Sequence, residues 1–218
     1  MVDPFTNPDE RFDVCDASGR PTGRVKRRAD VHRDGDWHRA FHCWVTVEAG
    51  VVPAVLLQRR GHHKDTWPNR LDVAVGGHFA AGETLADVVR EVEEEIGREV
   101  SLADLLPLGR RIAVGEDESG IKDREIQDVY LWRSHLPLAA YRPQPIELEA
   151  LVAVPLPDLL RLLAGEVDEA PVSLLRPGHQ SETSAITRDD FVPANDNYYF
   201  RVTTVIDQAI KGYPYLVV

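Results

Sequence analysis

Between residues 38 and 155 the chain alternates short apolar runs with polar and turn-forming clusters; the runs fall at 43–48, 54–59, 71–76, 110–114, 126–132 and 151–154. Runs of this length, bounded by Gly, Pro and charged residues, predict strands. One segment among them has the helical period instead: Leu85, Val88, Val89, Val92 and Ile96 make a single stripe. Thr84 is a good N-cap, Asp87 three positions on can close a capping box, and Gly97 can take the left-handed conformation at the C-terminus. The pattern predicts one helix over 84–97. Strands with a helix between them imply a mixed sheet flanked by helices, an α+β fold.

The flanks read differently. Residues 1–37 are polar, with a predicted hairpin from Arg11–Val14 through Ser18 and Gly19 to Thr22–Val25, then a charged stretch over 26–36. This segment is expected to be an extension packed on the core as a cover. Residues 38–218 are expected to form a single domain with a C-terminal helical extension. A short helix is predicted over 158–164 and a longer one over 197–211, where Tyr199, Val202, Val205, Ile206 and Ile210 share a face. Between them, 169–195 is polar, contains three prolines and reads as a long loop. The chain has no internal repeat and no low-complexity tract.

At 218 residues and 43% hydrophobic, the chain can bury a full core in one domain. A formal charge of −11 argues against nucleic acid as the main partner, because binding a phosphate backbone needs a basic footprint. The acidic balance does not exclude small phosphate esters, since the field that matters is that of local cations. Cys15 and Cys43 are too few for a disulfide framework, and the start Met1–Phe5 lacks the basic and apolar regions of a signal peptide. With no apolar run of membrane-spanning length, the expectation is a cytoplasmic protein without membrane contact. A homodimer is left open.

The predicted helix also carries candidate chemistry. Glu91, Glu94 and Glu95 stand at i, i+3 and i+4, within a sector roughly 100° wide beside the apolar stripe. Three converging carboxylates repel one another and call for a cation. Magnesium or manganese suits them, because these hard cations take carboxylate oxygens and keep positions for water and phosphate. Upstream lies Gly76-Gly77-His78-Phe79-Ala80-Ala81-Gly82-Glu83, a glycine-rich turn followed by an isolated acid.

Together these residues resemble the Nudix box, G-x5-E-x7-R-E-U-x-E-E-x-G-U with U aliphatic. Gly77, Glu83, Arg90, Glu91, Val92, Glu94, Glu95 and Gly97 match it. The chain departs twice: six residues separate Glu83 from Arg90 where the pattern has seven, and Arg98 takes the last aliphatic position, with Val100 able to supply that contact. The resemblance implies an α/β/α sandwich and a pyrophosphohydrolase acting on a diphosphate linked to another group, usually a nucleoside diphosphate derivative. It makes Glu94 and Glu95 metal ligands and Glu91 a further ligand or the base that deprotonates water. The Gly77 carbonyl becomes a ligand, Glu83 reaches the metal directly or through water, and Arg90 fixes a glutamate rotamer by an ion pair.

A second constellation comprises 37–44 with His38, then Arg59, Arg60 and Lys64, and the strand Asp123-Arg124-Glu125-Ile126-Gln127-Asp128. Alternation puts Asp123, Glu125 and Gln127 on one strand face and Ile126 and Asp128 on the other. Glu125 is therefore the carboxylate expected to join the metal site from outside the helix. Arg59, Arg60, Lys64 and His78 are candidate substrate contacts, the cations as phosphate partners. This region is similar to a Nudix branch that includes isopentenyl diphosphate isomerase. The resemblance implies metal-binding histidines at His38 and His78, an acidic pair at Asp123 and Glu125, and a catalytic cysteine where this chain has Gly76. A glycine cannot exchange a proton with an alkene, so hydrolysis leads and isomerisation is the runner-up. A ligand-sensing Nudix domain, the third alternative, typically lacks box acids that are complete here.

Overall fold

Cys43 and Trp44 are neighbours in the chain yet lie in different hydrophobic layers. They stand on strand β3 (His38–Glu48), and the pleat sends successive side chains to opposite faces of the sheet. In this computed structural model the described residues are 9–64, 66–116, 120 and 122–218; the readings of Met1–Phe5 and Asp65 fall outside them.

The chain opens with a separate hairpin of β1 (Arg11–Cys15) and β2 (Pro21–Arg27), as expected, followed by helix α1 (Arg28–Asp34). Phe12, Val14 and Val31 close a small core of their own. The charged stretch is thus a helix with one buried anchor, a period too short to see among its charges.

The main sheet contains β3, β4 (Ala54–Arg60), β5 (Leu71–Val73), β6 (Val75–His78), β7 (Leu105–Glu116), β8 (Lys122–Pro137), β9 (Leu148–Pro155), β10 (Glu169–Leu175) and β11 (Glu182–Thr187). Its order is β11-β10-β9-β4-β3-β8-β7, with β5 on β4 and β6 on β3. The β3–β8 pair is parallel and the others are antiparallel, so the sheet is mixed. One face is covered by α4 (Leu156–Ala164) and α5 (Tyr198–Ile210), whose apolar sides join Trp44, Leu57, Val129 and Leu131. The other is covered by α2 (Leu85–Val88) and α3 (Arg90–Ile96), whose Val88, Val92 and Ile96 meet Phe41, Cys43 and Val75. The result is an α/β/α sandwich.

Two expectations need correction. The polar segment 169–195 is not a loop throughout, because β10 and β11 extend the sheet. Ala170, Val172 and Leu174 alternate inward, and Pro171 lies beyond the residues paired with β9, where its missing N–H costs that pairing nothing. The run 71–76 is likewise not one strand. At Ala74 it changes partner, β5 pairing with β4 and β6 with β3. β3 and β4 pair directly only from Val45–Val47 to Ala54–Leu56 and then diverge. Gly76, Gly77 and His78 keep solvent exposure in this wedge although buried strands flank it.

The predicted helix 84–97 forms as two pieces meeting at Val89, which keeps right-handed angles (φ −62°, ψ −17°). Val92 N–H donates to Val89 O at 3.1 Å, an i to i+3 bond that tightens the turn. A tighter turn absorbs the residue missing between Glu83 and Arg90. The expected capping box is present, Thr84 N–H donating to Asp87 Oδ2 at 2.8 Å, and Gly97 ends the helix with φ 67°. Burying Val92 and Ile96 stabilises by roughly 1.5–3 kcal/mol each. That exceeds the few tenths of a kcal/mol by which each like-charged pair weakens the helix.

Candidate active site

Arg90, at the start of α3, organises the acids around it. Its Nη1 lies 2.8 Å from Glu83 Oε1, Nη2 3.1 Å from Glu91 Oε1 and Nε 3.5 Å from Glu94 Oε1. Glu83 is further fixed by Ala80 N–H, which donates to Oε2 at 2.8 Å. The shortened loop therefore still brings Glu83 to the helix acids. Glu91 lies over Gly77, where any β-carbon would meet its Cγ and Cδ at 2.9 Å.

The three helix carboxylates do not converge as the spacing suggested. Arg90 collects Glu91 and Glu94, and the Glu94 side chain stays 57% exposed. Glu95 turns into the sheet, only 6% exposed, and accepts from Gln58 Nε2 at 3.3 Å. Burial pushes the Glu95 carboxyl well above its usual range, Glu91 adds to this, and Lys64 and Arg60 oppose it. Burial also pushes Glu91 to about 7, against the pull of Arg90. A buried Glu95 and a half-buried Glu91, both raised by burial, are the donor set a hard divalent cation fits, since it replaces the proton on each.

The predicted cations go to different places. Arg60 is held by Asp72 Oδ2 at 3.2 Å and by the Thr66 carbonyl at 2.9 Å, and Lys64 pairs with Glu147. Both remain near enough to Glu95 to act on its charge. Arg59 instead pairs with Asp190 at 3.2 Å, just before α5.

On the other sheet face lies a histidine cluster. Arg28 Nη1 approaches His78 Nδ1 at 3.3 Å and Glu10 Oε2 at 3.3 Å, and can only donate, so Nδ1 is bare. The His78 Nε2–H then donates to Glu125 Oε1 at 3.0 Å. His38 Nδ1 donates to the Asp36 carbonyl at 3.1 Å, which leaves its buried Nε2 bare, without a hydrogen-bond partner and 3.9 Å from Glu125 Oε1. His32, from α1, stands 3.4 Å from Asp123 Oδ1. Ligand atoms of His32, His38 and His78, and of His38, Asp123 and Glu125, lie within 4.8 Å of one another. Burial lowers His32 to about 3 and His78 to about 4, so both rings are neutral. Burial alone would raise Glu125, but the hydrogen bonds donated by His78 and Gln127 oppose it, and the carboxyl is held well below its usual range. Neutral imidazoles beside carboxylates, one turned by a backbone carbonyl, fit a divalent cation.

Glu125 is positioned from far away. Gln127 Nε2 donates to its Oε2 at 2.6 Å, Arg111 Nη1 donates to Gln127 Oε1 at 2.9 Å, and Asp196 takes Arg111 at 2.9 Å through both carboxylate oxygens. Sequence reasoning missed Arg28, His32, Arg111 and Asp196. The separation of His32 from His38 was a readable signal, hidden because the charged stretch passed for a cover. Arg111 and Asp196 carry no motif, and only the fold joins them.

A model of the NUDIX domain matches residues 36–175. The chain is 33% identical over 198 residues to an uncharacterized Nudix hydrolase of Clostridium acetobutylicum, covering 88% of this chain and 94% of the relative. The chain belongs to the Nudix hydrolase family. An isopentenyl-diphosphate Delta-isomerase of Mycolicibacterium vanbaalenii is 36% identical over 135 residues, 60% of this chain and 71% of that one. In fold, this Nudix protein is similar to the crystal structure of DR0079 from Deinococcus radiodurans, with a TM-score of 0.53 and 25% identity over 72% of this chain and 90% of that one. Among the described residues, no helix is long and apolar enough to cross a membrane. α5 and the residues that anchor its start lie beyond the matched segment, yet they reach Glu125 through Arg111.

Proposed function

We propose that this Nudix hydrolase is a magnesium- or manganese-dependent pyrophosphohydrolase that cleaves the diphosphate of a small molecule of the nucleoside diphosphate-X type. The observation that carries this reading is the state of α3. Arg90 holds Glu83, Glu91 and Glu94 at once, while Glu95 is buried with a single amide partner. Glu94, Glu95, Glu83 and the Gly77 carbonyl would hold the cation, with Glu91 a further ligand or the base; Glu125, expected among them, instead lies with His38 and His78 on the other sheet face, where it would serve a second cation. When bound, the cation would lower the pKa of a ligated water and shield charge on the phosphate oxygens.

Glu91, raised to about 7 by burial, can take a proton from the attacking water near neutral pH. Arg90 keeps that carboxyl in one rotamer. Arg60 and Lys64, which act on Glu95, would contact the substrate, whereas His78 lies with Glu125 on the other sheet face and Arg59 pairs with Asp190. Two buried free thiols fit a reducing, cytoplasmic setting. The charge of −11 favours a small ligand over nucleic acid or an anionic membrane.

The histidine cluster and the isomerase relatives favour a second reading, isomerisation of a prenyl diphosphate. It lacks a thiol at Gly76, where two glycines precede His78. A panel of nucleoside diphosphate sugars, dinucleoside polyphosphates, nucleoside triphosphates and prenyl diphosphates, each with magnesium, separates the two. Hydrolysis of a nucleoside diphosphate derivative supports the first reading. Allylic product from isopentenyl diphosphate, with no hydrolysis anywhere in the panel, supports the second.

A further inference from the structure

His42 stands opposite Gly76 in the β3–β6 ladder, so both point to the sheet face that carries His38, His78 and Glu125. A β-carbon built on Gly76 would sit 3.8 Å from His42 Cδ2 and 3.9 Å from Nε2, so the imidazole borders the space that the glycine leaves. Both residues keep partial exposure between buried neighbours.

The hydrogen bonds around the ring fix its tautomer. Trp44 Nε1 can only donate, and it donates to the Tyr198 hydroxyl oxygen at 3.0 Å. Tyr198 is buried, and burial pushes its phenol further up, so it keeps its proton. The acceptor for that proton among the described residues is His42 Nδ1, at 2.9 Å. Nδ1 is therefore bare and Nε2 carries the hydrogen. Among the described residues Nε2 has no hydrogen-bond partner, and its atom is not buried among those left unsatisfied. Burial lowers the ring's pKa, so it is a neutral, single donor.

We propose that His42 is a substrate contact whose Nε2–H, aimed past Gly76 by Tyr198, donates to an oxygen of the group carried on the diphosphate. This rests on the hydrolase reading and narrows its substrate class. Asp72, Glu125, Arg111 and Arg60 are near enough to act on the charge of His42, while Val73 Cγ1, 3.3 Å from a β-carbon built on Gly76, supplies an apolar edge there. A hydrocarbon in that place would leave the donor unpaired, and sites built to hydrogen-bond a polar group discriminate strongly against analogues that lack it. Tyr198 belongs to α5, outside the segment matched by the family model, so a region beyond the common domain sets this selectivity.

The test has two arms on the full chain. Nitrogen-15 NMR of the free protein should show the His42 proton on Nε2; a proton on Nδ1 overturns the proposal without touching the hydrolase reading. In kinetics with magnesium, ADP-, GDP- and UDP-linked sugars should be hydrolysed in preference to isopentenyl diphosphate. His42→Phe should lower kcat/KM for the best sugar substrate about ten- to a hundredfold, the cost of losing one buried hydrogen bond. His42→Gln, which can place an amide N–H near Nε2, should keep most of that rate. An unchanged rate in a folded His42→Phe protein overturns this proposal alone, whereas preference for the prenyl substrate overturns it together with the nucleoside diphosphate reading. No hydrolysis of any panel member by the wild type overturns the hydrolase reading, and the proposal with it.

Discussion

Gly77 lies directly against Glu91: a β-carbon on the glycine would stand 2.9 Å from both Cγ and Cδ of the glutamate. No positive φ is involved, so glycine is required there by the close approach alone. Gly77→Ala should displace the Glu91 carboxyl and lower kcat roughly ten- to a hundredfold, the scale of a catalytic group misplaced by about 1 Å. The melting temperature should change little, because the atoms that must move end a flexible side chain. Steady-state kinetics and a thermal melt check both, and an unchanged kcat would remove Glu91 from the reacting centre.

Glu95 and Glu94 should separate stability from turnover. Glu95 is buried and its ionisation is opposed, so Glu95→Gln should stabilise the metal-free protein at neutral pH. Glu94 is 57% exposed, and Glu94→Gln should leave that stability unchanged. Both variants should lose turnover by orders of magnitude and show less stabilisation on adding magnesium. Denaturant titrations with and without magnesium, beside an activity assay, read all of these.

Much of this site was legible in the chain. The acids, Arg90, the capping box and Gly97 lie within one stretch, where spacing fixes geometry, and the strand alternation correctly put Glu125 with Gln127 and away from Asp128. What the chain hid depends on long-range pairing. Nothing local shows that Ala74 is where one run changes sheet partner, or that Asp196 reaches Arg111. Convergence of the three helix acids failed for one local and one distant reason: Arg90, on the same helix, collects Glu91 and Glu94, and Gln58, 37 residues away on β4, takes Glu95.

The raised pKa of Glu91 gives a signed pH dependence. Its folded value of about 7 lies above the ordinary 4.5, so without metal the folded state holds a proton that the unfolded chain releases. Stability from this group is therefore full below about 4.5 and falls as pH rises towards 7, by up to about 3 kcal/mol. Magnesium competes with that proton, so its apparent affinity should rise through the same window. Glu91→Gln should flatten both curves. Calorimetric titration at several pH values measures the affinity, and thermal melts the stability.

Arg111 should act as a positioning residue for Glu125. Arg111→Lys keeps the charge but loses the fork that spans Asp196 and Gln127. The expected result is a fall in kcat of about tenfold with a smaller change in KM, the mark of an interaction used in the transition state. A pure rise in KM would place Arg111 on the substrate.

The most direct test of the central claim is where oxygen from water goes. Hydrolysis breaks a P–O bond with an activated water, whereas isomerisation moves a proton and leaves the diphosphate whole. The residues of α3 supply the first set of groups, and Gly76 withholds the thiol of the second. Reaction with magnesium in heavy-oxygen water should place the label in a phosphate-containing product, with isopentenyl diphosphate left unconverted to its allylic isomer. Allylic product at enzymatic rates, with no label in any phosphate, would contradict the account.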